Sequence, residues 1–283
     1  MRKIILYICC LAALMGCFTV QSFAGAKKVS KIVVDAGHGG KDFGAQGGFS
    51  YEKDVTLAVA MRLGKMLSDS MKTLQVIYTR TTDSYPTLVE RHDIANKAQG
   101  DLFIAIHANS TPFTYSKKLV GYKTVKRHHK SVKQPIYQTT RHHETSRMGV
   151  ETYVLGLHRI GQLSGEVEDE FASKDSTSES LLNPNDPQTQ IIIAQYTQAF
   201  LTRSVRLGTK IQEQFGLQGR ADLGVKQKGL EVLAGSAMPG VLVEIGFINN
   251  PQEEAYLNSE KGQYEVALAI YRGIKAYKSE IER

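Results

Sequence analysis

The fold is decided largely by the stretch VLVEIGF, residues 241–247, an apolar run interrupted by one carboxylate at Glu244. A run of this kind is typical of a strand buried on both faces of a parallel sheet. Two other stretches share this character, VVDAGH at residues 33–38 and FIAIH at residues 103–107, and each ends in a histidine. Because parallel strands present their carboxyl ends at one edge of a sheet, we expect these polar side chains to meet there.

The rest of the chain alternates strand-like and helix-like segments, which indicates an α/β domain. Strands are predicted near residues 31–35, 74–79, 101–107, 150–155, 229–233 and 241–247, with helices near residues 51–67, 88–98, 188–215 and 261–279 and a short helix opened by Asn250 and Pro251. The sequence shows no internal repeat and no second core. We therefore expect one catalytic domain over residues 30–281, with a mostly parallel, twisted sheet of about six strands and helices on both faces.

Two segments interrupt the alternation. Residues 111–147 carry nine lysines and arginines against a single acid, Glu144, and predict a long basic loop inserted in the domain. This insert could form a flap over the cleft, hold anionic glycopeptide, or be a solvated loop. Residues 158–187 are acidic and then rich in Ser, Asn, Asp and Pro, so we expect a second irregular insertion there.

The first 24 residues predict a secretory signal peptide. Arg2 and Lys3 precede an apolar stretch at residues 4–20, and small residues follow near Ala24. A membrane anchor is disfavoured because the stretch is short and is interrupted by Gly16 and Cys17. A lipoprotein signal with Cys17 as the lipidated residue is the open alternative, and only then do we expect membrane attachment. The protein is thus predicted to be exported, to the periplasm or the cell envelope.

Composition bounds the function further. The chain has 283 residues, a hydrophobic fraction of 42% and a formal charge of +7, so it can bury a core and modestly favours anionic partners. Nucleic acid is not expected as a partner because no recognition motif is present, whereas bacterial cell wall fits. All three cysteines, Cys9, Cys10 and Cys17, lie in the predicted signal, so a metal in the mature domain must be held by His and carboxylate.

Four residues form the predicted site. His38 follows the first strand, Glu52 begins the next helix, and His107 ends the third strand. Two imidazoles and one carboxylate with a position open for water are the ligand pattern of a catalytic zinc ion, Zn²⁺, although manganese also accepts such ligands. Glu244 is the candidate catalytic residue, which would take a proton from water and return it to a leaving amine.

Each of these residues also has a structural interpretation. Glu52 could be an acid favoured by the helix dipole, and Glu244 could pair with a buried Arg80 or Arg91. His92 is expected to be structural. The histidine pairs at residues 128–129 and 142–143 are weaker metal candidates, since they lie in the basic insert.

Taken together, the segments resemble the zinc-dependent N-acetylmuramoyl-L-alanine amidases of the AmiC type, the amidase-3 family. The resemblance covers residues 31–278, and its motifs stand in the family's order: VDAGHGG at 34–40, EKDV at 52–55, TRTTD at 79–83, LVER at 88–91, IHANS at 106–110, GVETY at 149–153 and PGVLVEIGFINNP at 239–251.

The resemblance implies zinc ligands His38, Glu52 and His107, with Glu244 as catalytic acid–base. It also implies cleavage of the amide between N-acetylmuramic acid and the L-alanine of the stem peptide in peptidoglycan, for wall remodelling or daughter-cell separation. Asn109, in the same motif as His107, is predicted to contact substrate.

Some relatives carry an autoinhibitory helix where residues 158–187 lie, with a glutamate that blocks the zinc until a partner removes it. The autoinhibitory candidates in this chain are Glu166, Glu168 and Glu170, and an activator protein acting on residues 158–187 is the partner that this hypothesis predicts. Two other functions remain open: a zinc peptidase that cuts within the stem peptide, and a wall-binding module without catalysis.

Overall fold

The computed structural model describes residues 28–127, 130–174 and 186–283. The predictions on the signal peptide, on Cys17, on the histidines at 128–129 and on the side chain of Glu170 lie outside the described part. In the described residues, no helix combines the length and the apolar character needed to cross a bilayer.

A six-stranded sheet forms the centre of the domain. Four neighbouring strands run parallel: β2 (Gln75–Tyr78), β1 (Lys31–Ala36), β3 (Leu102–Asn109) and β8 (Gly240–Phe247). The remaining two, β6 (Val150–Leu155) and β7 (Asp222–Lys228), run parallel to each other and antiparallel to β8. The predicted fold class, a mostly parallel sheet of six strands, is confirmed.

Helices cover both faces of this sheet. They are α1 (Glu52–Ser70), α2 (Leu88–Lys97), α3 (Ile160–Lys174), α4 (Pro187–Leu217), α5 (Glu231–Ala234), α6 (Pro251–Leu257) and α7 (Glu260–Ile281). Several of these helices begin with a side-chain cap: Thr87 and Glu90 form a capping box for α2, while Asp186 and Asn250 cap α4 and α6 ahead of a proline.

Alternation along the strands divides the interior into two cores. Ile104 and Ile106 of β3 face one core with α1 and α7, whereas Phe103 and Ala105 face the other, with α3 and α5. The long helix α4 contributes to both. The same period of two places His107 on the side of Phe103 and Ala105, and Glu244 on the side of Leu242, which belongs to the same core.

The basic insert is a β-hairpin, so the prediction of a loop at residues 111–147 is wrong in its secondary structure. Strand β4 (Phe113–Arg127) pairs with β5 (Lys130–His143) in an antiparallel ribbon separate from the main sheet. Almost every described residue of the ribbon is exposed. Because neither face is buried, the sequence lacks the alternation of apolar and polar residues by which strands are recognised.

Two further predictions of local structure are corrected. The strand expected at 229–233 lies earlier, at Asp222–Lys228, and helix α5 follows it. This strand, DLGVKQK, is at the sheet edge and is too polar to stand out as an apolar run. The segment from 158 onward is not wholly irregular, because α3 begins at Ile160 and buries Leu163 and Val167 in a core.

Candidate metal centre

Three predicted ligands meet at the carboxyl edge of the parallel strands. The His38 Nε2 atom lies 3.1 Å from Oε2 of Glu52, and the His107 Nδ1 atom lies 2.9 Å from Oε1 of the same carboxylate. One possible ligand atom from each residue lies within 4.8 Å of the others, the only such His/Cys/Asp/Glu group found in residues 28–127, 130–174 and 186–283. The histidine pair at 142–143 is not part of this group.

Local backbone geometry explains how the triad forms. Glu52 is the first helical residue of α1, and the main-chain N–H groups of Ala45 and Ala108 donate to its two oxygens at 2.8 and 3.0 Å. A Cβ atom at Gly37 would lie 2.5 Å from the His107 ring, and one at Gly44 would lie 2.6 Å from Glu52 Oε2. Glycine is therefore required at both positions by the close approach of backbone to ligand side chains.

Buried arginines hold the turn that carries His38. This histidine adopts a left-handed conformation with φ of 60°, which is uncommon for a residue with a side chain. The Arg91 guanidinium donates to the carbonyl of His38 at 2.6 Å and pairs with Asp35 at 2.7 Å. Arg80 donates to the carbonyl of Gly37 at 2.8 Å. These bonds fix the loop, and they account for both arginines without a contact to Glu244.

The electrostatics of the triad favour positive charge. Burial disfavours ionisation of His38, but hydrogen bonds and charges from Glu52 and Asp42 outweigh it and raise the pKa of His38 to about 9. Burial likewise opposes the charged form of His107, yet the carboxylate of Glu52 raises its pKa. Burial would raise the pKa of Glu52, but hydrogen bonds to both imidazoles hold it well below its ordinary value. The carboxylate of Glu52 is therefore ionised, and it stabilises positive charge on the two imidazoles beside it.

Asp42 is a site residue that the sequence analysis missed. Its Oδ2 atom lies 2.8 Å from Nδ1 of His38, on the opposite side of the ring from Glu52. A carboxylate on the outer nitrogen of a metal-binding histidine orients the ring and strengthens it as a ligand. The spacing of four residues from His38, within the turn, is the signal that could have suggested this partner.

Glu244 lies beside the triad. It is directly opposite His107 in the β3–β8 register, and its buried Oε2 atom has no hydrogen-bond partner. Burial raises the pKa of Glu244 to about 7, with the negative charges of Glu52 and Glu151 acting in the same direction and His107 opposing it. Burying a polar atom without a hydrogen-bond partner is energetically costly, so the position of Glu244 favours a functional role over a structural ion pair.

The sequence analysis also missed a polar network on β6, the strand that pairs with β8 beside Glu244. Glu151 of β6 is the antiparallel cross-strand partner of Glu244. Its buried carboxylate bonds Arg147 at 2.9 Å, Lys226 at 3.0 Å and the Tyr153 hydroxyl at 2.5 Å. Although burial opposes it, these partners lower the pKa of Glu151. The neighbouring carboxylates Glu151 and Glu244 therefore have opposite environments, since Glu151 has cationic and hydroxyl partners and the Oε2 atom of Glu244 has none among the described residues. Pairs of carboxylates whose pKa values are moved apart in this way are typical of sites that separate acid and base roles.

Asn109 lies within this network. Its Nδ2 atom is 3.4 Å from Glu151, and its Oδ1 atom accepts from the N–H of Ser110. His92 is buried on helix α2, against Gly235, in keeping with the structural role expected for it.

The autoinhibitory candidates lie elsewhere in the described structure. The side chain of Asn96, at the end of α2, donates to Glu166 at 3.2 Å. That end of α2 adjoins the start of β1, because Lys31 Nζ donates to the carbonyl of Ala98. Glu166 is therefore at the amino edge of the parallel strands, opposite to the triad, and Glu168 is half-buried on the same helix. An autoinhibitory role for either residue stays a prediction.

Comparison with known proteins identifies the family of the chain. The family model described as N-acetylmuramoyl-L-alanine amidase matches residues 32–276. The probable N-acetylmuramoyl-L-alanine amidase AmiB of Haemophilus influenzae is 30% identical over 271 residues, which cover 93% of this chain and 55% of that protein. The amidase AmiA of Escherichia coli is 29% identical over 259 residues, covering 90% and 77%.

Among solved structures, an N-acetylmuramoyl-L-alanine amidase from Clostridium difficile 630 has the same fold, with a TM-score of 0.58 and 24% identity over 88% of this chain and 97% of that one. The present chain spans about half the length of the AmiB relative. Since the family model covers nearly all of the described domain, the chain belongs to the N-acetylmuramoyl-L-alanine amidase family.

Proposed function

We propose that this chain is a zinc-dependent amidase that hydrolyses the bond between the lactyl group of N-acetylmuramic acid and the L-alanine of the stem peptide in peptidoglycan. The observation that carries the proposal is the joint placement, at a single sheet edge, of three candidate ligands and the Glu244 carboxylate, whose Oε2 atom is buried without a hydrogen-bond partner. The family membership identifies the bond, and the side chains supply the chemistry.

The donor set fits zinc. Two imidazole nitrogens and one carboxylate are a usual catalytic zinc set, and two of the three ligands here, His38 and Glu52, have outer hydrogen-bond partners that fix their orientation. Asp42 supports His38, the N–H groups of Ala45 and Ala108 support Glu52, and the ring of His107 packs over Gly37. Zinc bound there supplies a Lewis acid that polarises the amide carbonyl and lowers the pKa of water towards about 7.

Glu244 performs the proton transfers in this proposal. Its raised pKa, about 7 in the protein without metal, lies near the working range of a general base. Its carboxylate takes the proton of the attacking water while the C–O bond forms. It then returns that proton to the amide nitrogen as the C–N bond breaks, which releases the stem peptide with a free L-alanine amine. The new carboxylic acid on the lactyl group ionises, and its proton passes to that amine or to solvent.

The cationic side of the cleft suits an anionic substrate. Arg147 and Lys226 neutralise Glu151, and both side chains remain substantially exposed. The Lys228 ammonium lies 5.1 Å over the Tyr153 ring, and its charge opposes the rise in the pKa of Glu244. Stem peptides carry carboxylates, which these three cations would attract.

Export, cell-wall remodelling or daughter-cell separation, and control by an activator complete the proposal. The amidase CwlD of Clostridioides difficile, which shares the fold, was solved in complex with the GerS lipoprotein. That precedent supports looking for a protein partner of this chain, with residues 158–187 as the segment on which it would act.

The test is metal analysis together with digestion of purified peptidoglycan, for wild type and Glu244→Gln side by side. We expect one zinc per chain in both proteins, and intact stem peptides with new N-terminal L-alanine only from wild type. Fragments cut within the stem would identify a peptidase instead. Full activity of the Glu244→Gln variant, with zinc bound, would refute the assigned proton transfer.

A further inference from the structure

The β4–β5 hairpin has a composition that the amidase site does not explain. Residues 113–143 contain six lysines and two arginines, with no aspartate or glutamate. At roughly 3.4 Å per residue, the 15 residues of β4 extend about 50 Å. A two-stranded ribbon of this kind is marginally stable by itself, since neither face is buried. Its exposed, one-signed surface is therefore expected to bind something.

The register of the hairpin separates its side chains into two faces. The aromatic face carries Phe113, Tyr115, Tyr122 and Tyr137, together with Lys117, Lys126, Lys133 and Arg141. The aliphatic face carries Val125, Val132 and Ile136, together with Lys118, Lys123 and Lys130. The bulge between Leu119 and Gly121 shifts the alternation of β4 by one residue, which is why Tyr115 and Tyr122 share a face.

Side-chain contacts agree with this assignment. Arg141 lies 4.0 Å over the Phe113 ring, and the His143 ring centroid lies 4.1 Å from the same ring, all on the aromatic face. Ser116 and His142 bond at 2.6 Å on the aliphatic face. The three tyrosines remain open, with exposed fractions of 64% for Tyr115, 60% for Tyr122 and 53% for Tyr137.

The hairpin begins at the catalytic edge of the sheet. It follows β3 within a few residues of His107, and its base is fastened by Asn249, which follows β8. Asn249 Nδ2 donates to Thr111 Oγ1 at 2.8 Å and to the carbonyl of Glu144 at 2.5 Å, and both Asn249 and Thr111 are buried. The base of the hairpin therefore lies at the same sheet edge as His107 and Glu244.

We propose that the aromatic face of the hairpin binds the peptidoglycan strand outside the reaction centre and holds the enzyme on its polymeric substrate. This inference rests on the proposed function. Tyrosine rings offer flat apolar surface with a hydroxyl edge, which packs on the less polar face of a sugar ring. The lysines beside them attract the carboxylates of the stem peptides. Lysines on a ribbon also discourage edge pairing, but that role does not need aromatic side chains.

Binding is tested by sedimentation with purified sacculi, in the Glu244→Gln background so that the polymer is not consumed. Two triple variants remove the same charge: Lys117→Gln with Lys126→Gln and Lys133→Gln on the aromatic face, and Lys118→Gln with Lys123→Gln and Lys130→Gln on the aliphatic face. A third variant, Tyr115→Ser with Tyr122→Ser and Tyr137→Ser, removes the rings. Circular dichroism and melting temperature verify that each variant folds.

We expect the aromatic-face lysine variant and the tyrosine variant to bind sacculi at least tenfold more weakly, and the aliphatic-face variant to bind less than threefold more weakly. Amidation of the sacculus carboxylates should remove the difference between the two lysine variants. Equal losses from both lysine variants would show attraction by net charge alone and would overturn the proposal. So would unchanged binding by the tyrosine variant.

A second readout separates this proposal from the amidase assignment. With active protein, a short soluble muramoyl peptide should be hydrolysed at the wild-type rate by the aromatic-face variants, while release from intact sacculi falls. Equal rates on sacculi would overturn the role of the hairpin and leave the amidase intact. If no muramoyl peptide is cleaved by wild type, the amidase proposal fails, whereas the binding result stands by itself.

Discussion

Replacing Glu244 with glutamine should change the stability of the metal-free protein in a pH-dependent way. Burial raises the pKa of this carboxyl from 4.5 to about 7 in the folded state, and its Oε2 atom has no hydrogen-bond partner. Between these two pKa values the folded protein binds more protons than the unfolded chain. The free energy of unfolding therefore falls as the pH rises through this window.

The size of the effect follows from the shift. One pKa unit corresponds to about 1.4 kcal/mol, so wild type should lose about 2–3 kcal/mol of stability through Glu244 between pH 5 and pH 8. Glutamine does not titrate. The measured quantity is the free energy of unfolding of the variant minus that of wild type, at pH 8 and at pH 5. Any cost of burying the glutamine amide is the same at both pH values and cancels when these two differences are compared. The variant should gain about 2–3 kcal/mol in this comparison.

The assay is urea unfolding in the presence of a chelator, at both pH values. Glu151→Gln is the matched control, because Glu151 is the cross-strand neighbour of Glu244 but its pKa is lowered by its cationic and hydroxyl partners. The pKa of Glu151 is lowered from 4.5, so its stabilising contribution is lost only as the pH falls below that value, and the Glu151→Gln variant should show almost no change in this difference between pH 5 and pH 8. An unchanged difference for Glu244→Gln across the two pH values would refute the reasoning.

Three further changes test the support of the metal centre. Asp42→Asn removes the carboxylate 2.8 Å from His38 Nδ1 and should weaken zinc binding roughly 10- to 100-fold in a chelator competition. The exposed control Asp69→Asn should bind zinc as wild type does. Equal zinc affinities of Asp42→Asn and wild type would contradict the role of Asp42. Gly37→Ala places a methyl group 2.5 Å from the His107 ring, so zinc content and activity should both be lost. The control Gly216→Ala, whose methyl group meets no atom within 4 Å, should leave both unchanged. Retained zinc in Gly37→Ala would show that the His107 ring can move aside without losing the metal. Arg91→Gln removes the ion-pair partner of the buried Asp35 and frees the carbonyl of His38, so the free energy of unfolding should fall by about 3–5 kcal/mol in denaturant unfolding. The exposed control Lys65→Gln should cause no measurable change. A small loss of stability for Arg91→Gln would mean that other bonds hold the turn.

The sequence predicted the centre of the sheet because its strands are encoded locally. Apolar runs at β1, β3 and β8 stand out in any environment, and a histidine or glutamate in such a run indicates a buried polar group. The sequence did not predict β7, which is a polar edge strand, or the hairpin, whose two exposed faces remove the usual alternation.

The sequence by itself predicted the apolar strands and the four residues His38, Glu52, His107 and Glu244, since each belongs to a short pattern with its own chemical meaning. Only the tertiary structure decided their partners. The register that sets Glu151 opposite Glu244, the bond from Asp42 to His38 and the common edge shared by the triad and the hairpin all depend on long-range pairing. Pairing of distant strands is fixed by the packing of the whole sheet, so no local pattern contains it.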